Sequence, residues 1–78
     1  MSSTLTNAEL RDTAGELASK LRSTDPAKHH RHIIPLIRIQ ESFAKDIREK
    51  SVVVVDASDP RLDEINNIAT DMVREGIL

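Results

Sequence analysis

The stretch HIIPLIRI, residues 32 to 39, decides the fold, because a short apolar run of this kind can be read either as helix or as strand. As a helix it continues into Leu36, Ile39, Phe43 and Ile47, a stripe at helical spacing with Ala44 alongside and no breaker before Ser51. As a strand its β-branched residues would lie parallel to Val52–Val55 in a small βαβ unit, with residues 40–50 as the crossover helix. That crossover is short against the usual dozen or more residues, and Pro35 would confine the strand to an edge. The helical reading is therefore preferred. Pro35 removes a backbone donor and crowds the carbonyl of Arg31, costing about 3 kcal/mol in a helix interior. The pattern thus predicts a short helix over about 26–32, a break or kink, and a longer helix to about 49.

The next segment, SVVVVDASDP over residues 51–60, raises the question of what pairs with it. Four consecutive valines do not alternate with polar residues, so Val52 and Val54 face one way, Val53 and Val55 the other, and both faces are expected to be buried. Buried N–H and C=O groups without partners would cost about 1–3 kcal/mol each, cancelling the apolar gain within a few residues. If residues 32–39 are helical, the neighbouring strand has to come from outside the chain. The simplest donor is the same segment of a second copy, antiparallel about a two-fold axis. A foreign sheet edge is another donor, and an extended linker bonded to side chains or water is the remaining alternative.

Upstream, Thr6 followed by Glu9 reads as a capping box, and Leu5 is placed to pack on Leu10 as a hydrophobic staple. Leu10, Ala14, Leu17 and Leu21 then recur four, three and four apart, a narrow seam suited to helix pairing. Gly15 interrupts this helix with a residue that permits close approach. Asp25-Pro26 and Asp59-Pro60 share one grammar, a capping aspartate before a proline in the first turn. The last helix displays Leu62, Ile65, Ile68, Ala69, Met72 and Val73, and Gly76 is a left-handed stop. The expected fold is mostly α: three to four short helices with one short β-strand at about 51–55, paired across a homodimer, in a single small domain over 1–78. The alternative is α+β with the βαβ unit.

A chain of 78 residues buries only about 60–65% of its unfolded surface, so reinforcement is wanted. With no cysteine, disulfides, zinc ribbons and thiol chemistry are excluded, which leaves oligomerisation or a permanent partner. The apolar set is almost wholly aliphatic, with one Phe and no Trp or Tyr, offering little for stacking bases or sugars. The longest apolar stretch is too short to span a bilayer, and MSSTLTNAEL lacks the basic and apolar regions of a secretion signal, so a cytoplasmic protein is expected, without membrane partners. The net charge of −2 conceals a polarity: −2 over residues 1–19, +4 over 20–50 and −4 over 51–78. Such an arrangement favours self-association or docking of each end on a different partner.

Candidate chemistry is sparse. KHHRH, residues 28–32, places His29 and His32 three apart on one helical face, a spacing that can serve a metal. A closed site needs two more ligands, and no acidic residue stands at a matching turn of that helix, so neither metal nor cofactor is assigned. His32 also continues the stripe of Leu36 and Ile39, which suits a partly buried histidine bonded to a backbone carbonyl. A strand of the form VVVVD resembles the late strand of nucleotide hydrolases, but the phosphate-cradling G-x-x-x-x-G-K-[ST] loop is absent. Asp56 and Asp59 are read as turn and cap residues.

No serine, histidine and acid combination has distinctive spacing, and the expectation is a protein that is not an enzyme. The primary reading is a homodimeric protein–protein interaction module, an adaptor, inhibitor or assembly factor, with Val52, Val53, Val54 and Val55 as the self-association segment and a protein partner. The alternative is a dimeric nucleic-acid-binding regulator using the basic segment around residues 20–38. Lys28, His29, His30, Arg31 and Arg38 form the expected partner or nucleic-acid surface, joined in the second reading by Lys20 and Arg22. Against that reading, the valines carry no donor for a base edge, and Asp56, Asp59, Asp63 and Glu64 would repel phosphate.

Overall fold

The computed structural model describes residues 5–78; the first four residues of MSSTLTNAEL, the segment read for a secretion signal, lie outside the described residues. Thr6 is the N-cap of the first helix, α1 (Asn7–Thr24), its hydroxyl accepting from the Glu9 N–H at 3.2 Å. The Glu9 carboxylate returns no bond among the described residues, so only half of the capping box forms. Leu10, Ala14, Leu17 and Leu21 are all buried, as their spacing requires, and Ala18 joins them. The helix ends where the Asp25 N–H reaches the Leu21 carbonyl at 3.1 Å.

Residues 26–29 form a turn and not the expected short helix. Asp25 caps this turn as its Asp-Pro pattern predicts, its side chain accepting from the Lys28 N–H at 3.2 Å and its carbonyl from the His29 N–H at 3.1 Å, while its own N–H closes α1. The second helix, α2 (His30–Lys50), then runs without interruption through Pro35. Pro35 deprives one carbonyl, that of Arg31, of its intrahelical donor, and Arg31 is an exposed residue near the helix start. Against that single loss stand Ile33, Leu36, Ile39 and Phe43, all buried, each worth about 1.5–3 kcal/mol. Residues 32–39 are therefore helical, and the βαβ alternative is excluded.

Asp59 caps the third helix, α3 (Pro60–Arg74), by accepting from the Arg61 N–H at 2.9 Å, with Pro60 in the first turn. Ile65, Ile68 and Met72 face the core, whereas Val73, expected on that face, is 60% exposed. The C-terminus closes as a Schellman motif: the Ile77 N–H bonds the Met72 carbonyl, the Gly76 N–H bonds the Val73 carbonyl, and Gly76 adopts φ +76°. Ile77 folds back onto the core.

Contacts along the helices fix their directions. Asn7 meets Ser51, and Gly15 lies against Gln40, so α1 and α2 form an antiparallel hairpin. Arg61 reaches Asp46, while Asp71 and Glu75 reach His32 and His29, so α3 is antiparallel to α2. Arg61 fastens that second pairing. Its guanidinium lies 3.9 Å above the Phe43 ring centroid, donates to Asp59, to Asp46 at 3.0 Å and to Ser42 at 2.7 Å, and is held largely from solvent. That contact lowers the Asp59 carboxyl below the usual aspartate range, because the bonded guanidinium favours its charged form, and raises Arg61 correspondingly.

The valine segment differs from expectation in two respects. Among the described residues no continuous strand forms over 51–55, and pairing is limited to one antiparallel bridge, Thr6 with Val54. The valines are also not buried on both faces, since Val52, Val53 and Val54 are 56%, 42% and 61% exposed and only Val55 packs against the core. The neighbour is neither residues 32–39 nor a full strand but Leu5 and Thr6, which lead into α1, with its first residue Asn7.

Candidate functional site

The main-chain groups of residues 51–55 are satisfied on one side alone. The Asn7 N–H donates to the Val53 carbonyl at 3.0 Å, and the Val55 N–H donates to the Leu5 carbonyl at 2.8 Å. Asn7 supplies the rest through its side chain. Its amide oxygen accepts from the Val53 N–H at 3.2 Å, and its amide nitrogen donates to the Ser51 carbonyl at 3.1 Å. One asparagine, 1% exposed, therefore imitates an additional residue of strand, and the valine segment in turn satisfies one of the unpaired N–H groups at the start of α1.

Backbone alternation sends the groups of successive extended residues to opposite sides. Ser51, Val53 and Val55 turn theirs inward to Leu5 and Asn7. Val52 and Val54 turn theirs outward, where neither residue exchanges a hydrogen bond with any described residue. The outcome is an open edge carrying two exposed valine side chains. Ser51 starts it: φ is +69° and ψ is −173°, a conformation nearly reserved for glycine, which turns the chain from the axis of α2 into the extended segment. Asp56 ends it in a turn in which its carboxylate accepts from the Ser58 N–H and hydroxyl at 2.9 and 2.8 Å; these bonds hold the Asp56 carboxyl below its ordinary range.

The basic residues expected to form one surface are divided. His29 is 3% exposed, its Nδ1 3.5 Å from the Glu75 carboxylate, and His32 Nε2 is 3.8 Å from Asp71 rather than bonded to a backbone carbonyl. Lys28, Arg31, His29 and His32 line a shallow cleft of about 240 Å³ together with Glu75. His30 is exposed outside that lining, and Arg38 belongs to a different cleft of about 290 Å³ beside Pro35, Ser42, Arg61 and Glu64. Carboxylates from α3 thus face both clefts. A third hollow of about 330 Å³, between α1 and α3, is lined by Leu5, Leu10, Leu62 and Ile65 among others.

Among the described residues no three His, Asp or Glu side chains are gathered so as to hold a metal ion, and no buried side-chain polar atom lacks a partner. No described helix is long and apolar enough to cross a membrane. The residue that sequence reasoning missed is Asn7. A signal was present: Asn7 extends the seam of Leu10, Ala14, Leu17 and Leu21 backward by one three-residue step, and a polar residue on a buried stripe requires a partner. In comparisons with known proteins, no family model, curated protein or solved structure matches the chain.

Proposed function

We propose that this protein is a non-catalytic protein–protein interaction module that acts as a homodimer, an adaptor, inhibitor or assembly factor, with the outer edge of Val52–Val55 as its self-association surface. The observation that carries the reading is the outward turn of Val52 and Val54: two main-chain positions without a partner among the described residues, bearing side chains 56% and 61% exposed. An exposed apolar edge of this kind is a template for pairing with another chain unless it is covered. Association would cover both the valine side chains and the main-chain groups in one step, supplying the reinforcement that a chain of 78 residues lacks internally.

The test is sedimentation of the wild-type chain and of Val54→Lys from dilute to concentrated solution. Val54 is exposed and makes no inward bond, so the substitution should change folding stability by less than about 0.5 kcal/mol. Wild type should sediment at twice the 8.7 kDa chain mass and the variant at 8.7 kDa, with unaltered helical content. A wild-type chain that stays monomeric at every concentration, or a variant that dimerises equally well, refutes the proposal.

A further inference from the structure

We infer that the dimer has one particular register, with Val53 of each copy on the two-fold axis and Val52 of each copy opposite Val54 of the other. The inference rests on the edge association just proposed and adds which residues meet. In antiparallel self-pairing, residues that face each other have position numbers adding to a constant, and outward-bonding residues must meet outward-bonding residues. Three alignments satisfy this: Val52 on Val52, Val53 on Val53, or Val54 on Val54.

Groups already in use separate the three. Placing Val52 on Val52 sets Val54 against Lys50, the last residue of α2, whose conformation is helical. Placing Val54 on Val54 sets Val52 against Asp56, whose carbonyl already accepts from the Asp59 N–H at 3.0 Å. Only the alignment about Val53 sets Val52 against Val54 twice, so that all four open N–H and C=O groups of each copy bond to equally open groups.

The chain lacks cysteine, which makes site-directed cross-linking unambiguous. Val53 would form a non-hydrogen-bonded pair with its symmetry mate, Cα atoms about 4.5 Å apart and within disulfide reach. Val52 or Val54 would lie more than about 7 Å from its own mate, beyond that reach. In a glutathione redox buffer, full-length Val53→Cys should oxidise to a covalent dimer. Val52→Cys and Val54→Cys alone should not, and an equal mixture of those two should cross-link one to the other.

Self-cross-linking at position 52 or 54 with position 53 silent overturns the register while leaving the edge association standing. A wild-type chain with no dimer at all overturns the edge association and the register together.

Discussion

Replacing Asn7 by alanine is the sharpest perturbation of the valine segment, because one buried amide accounts for two of its four inward bonds. Each hydrogen bond contributes about 0.5–1.5 kcal/mol net, and the Ser51 carbonyl and Val53 N–H left behind add a desolvation loss that water entering this half-buried site partly offsets. The expected cost is about 2–4 kcal/mol, a large share of the roughly 4–12 kcal/mol available to a domain of this length. In thermal unfolding followed by circular dichroism this corresponds to a drop of about 10–25 °C. Helix propensity alone predicts the opposite sign, since alanine is the better helix former. Asn7→Asp tightens the test: a carboxylate suits a helix N-terminus but cannot donate to the Ser51 carbonyl, so it too should destabilise, by about 1–3 kcal/mol. If either variant unfolds within about 0.5 kcal/mol of wild type in urea, the asparagine is not what holds the segment.

Other positions give independent checks. An ideal Cβ at Gly15 would lie 2.7 Å from the Gln40 amide nitrogen, the mobile end of a long side chain, so Gly15→Ala should displace Gln40 and raise stability by about 0.5–1 kcal/mol; a loss of more than 1 kcal/mol in urea would show that Gln40 is fixed. Ser51→Gly relieves a positive φ at a cost in unfolded-chain entropy, with an expected net gain of about 1 kcal/mol, seen as a rise in Tm of about 4–8 °C; a fall would refute the strain. The Asp59 carboxyl titrates below its unfolded value of about 3.9, so its contribution is complete above that value and is lost as pH falls through the lower folded value. Asp59→Asn, which retains a capping side chain, should be less stable than wild type by about 1–2 kcal/mol at neutral pH, and the gap should narrow as pH drops below about 4; a constant gap would contradict the sign.

The parts of this fold legible in the sequence are those governed by local chemistry. Thr6, Asp59-Pro60 and Gly76 marked helix ends because caps and left-handed stops act within a few residues, and the seam from Leu10 to Leu21 followed from periodicity. Pro35 was misjudged because the penalty of proline is local and was outweighed by its surroundings. Leu36, Ile39 and Phe43, buried in the core, carry the helix past the proline, while Asp25 caps as read but over the turn of residues 26–29 alone. The mate of the valine segment was hidden because an asparagine side chain leaves no trace in strand patterning, and its two acceptor and donor partners lie 46 and 44 residues away. The pairing of His29 with Glu75 was concealed in the same way, since the carboxylates arrive from α3 and not from the histidines' own helix.

The bonds from Asn7 to Ser51 and Val53 also settle how far α1 can slip along α2. A seam of leucine, alanine and isoleucine discriminates poorly between one alignment of two helices and the next, because similar side chains recur at each turn. A slide of a single turn, about 5.4 Å, would carry the amide of Asn7 out of reach of both its mates and strand four polar groups at once. The asparagine therefore indexes the hairpin: the aliphatic residues supply cohesion to any of several stackings, and one amide selects among them.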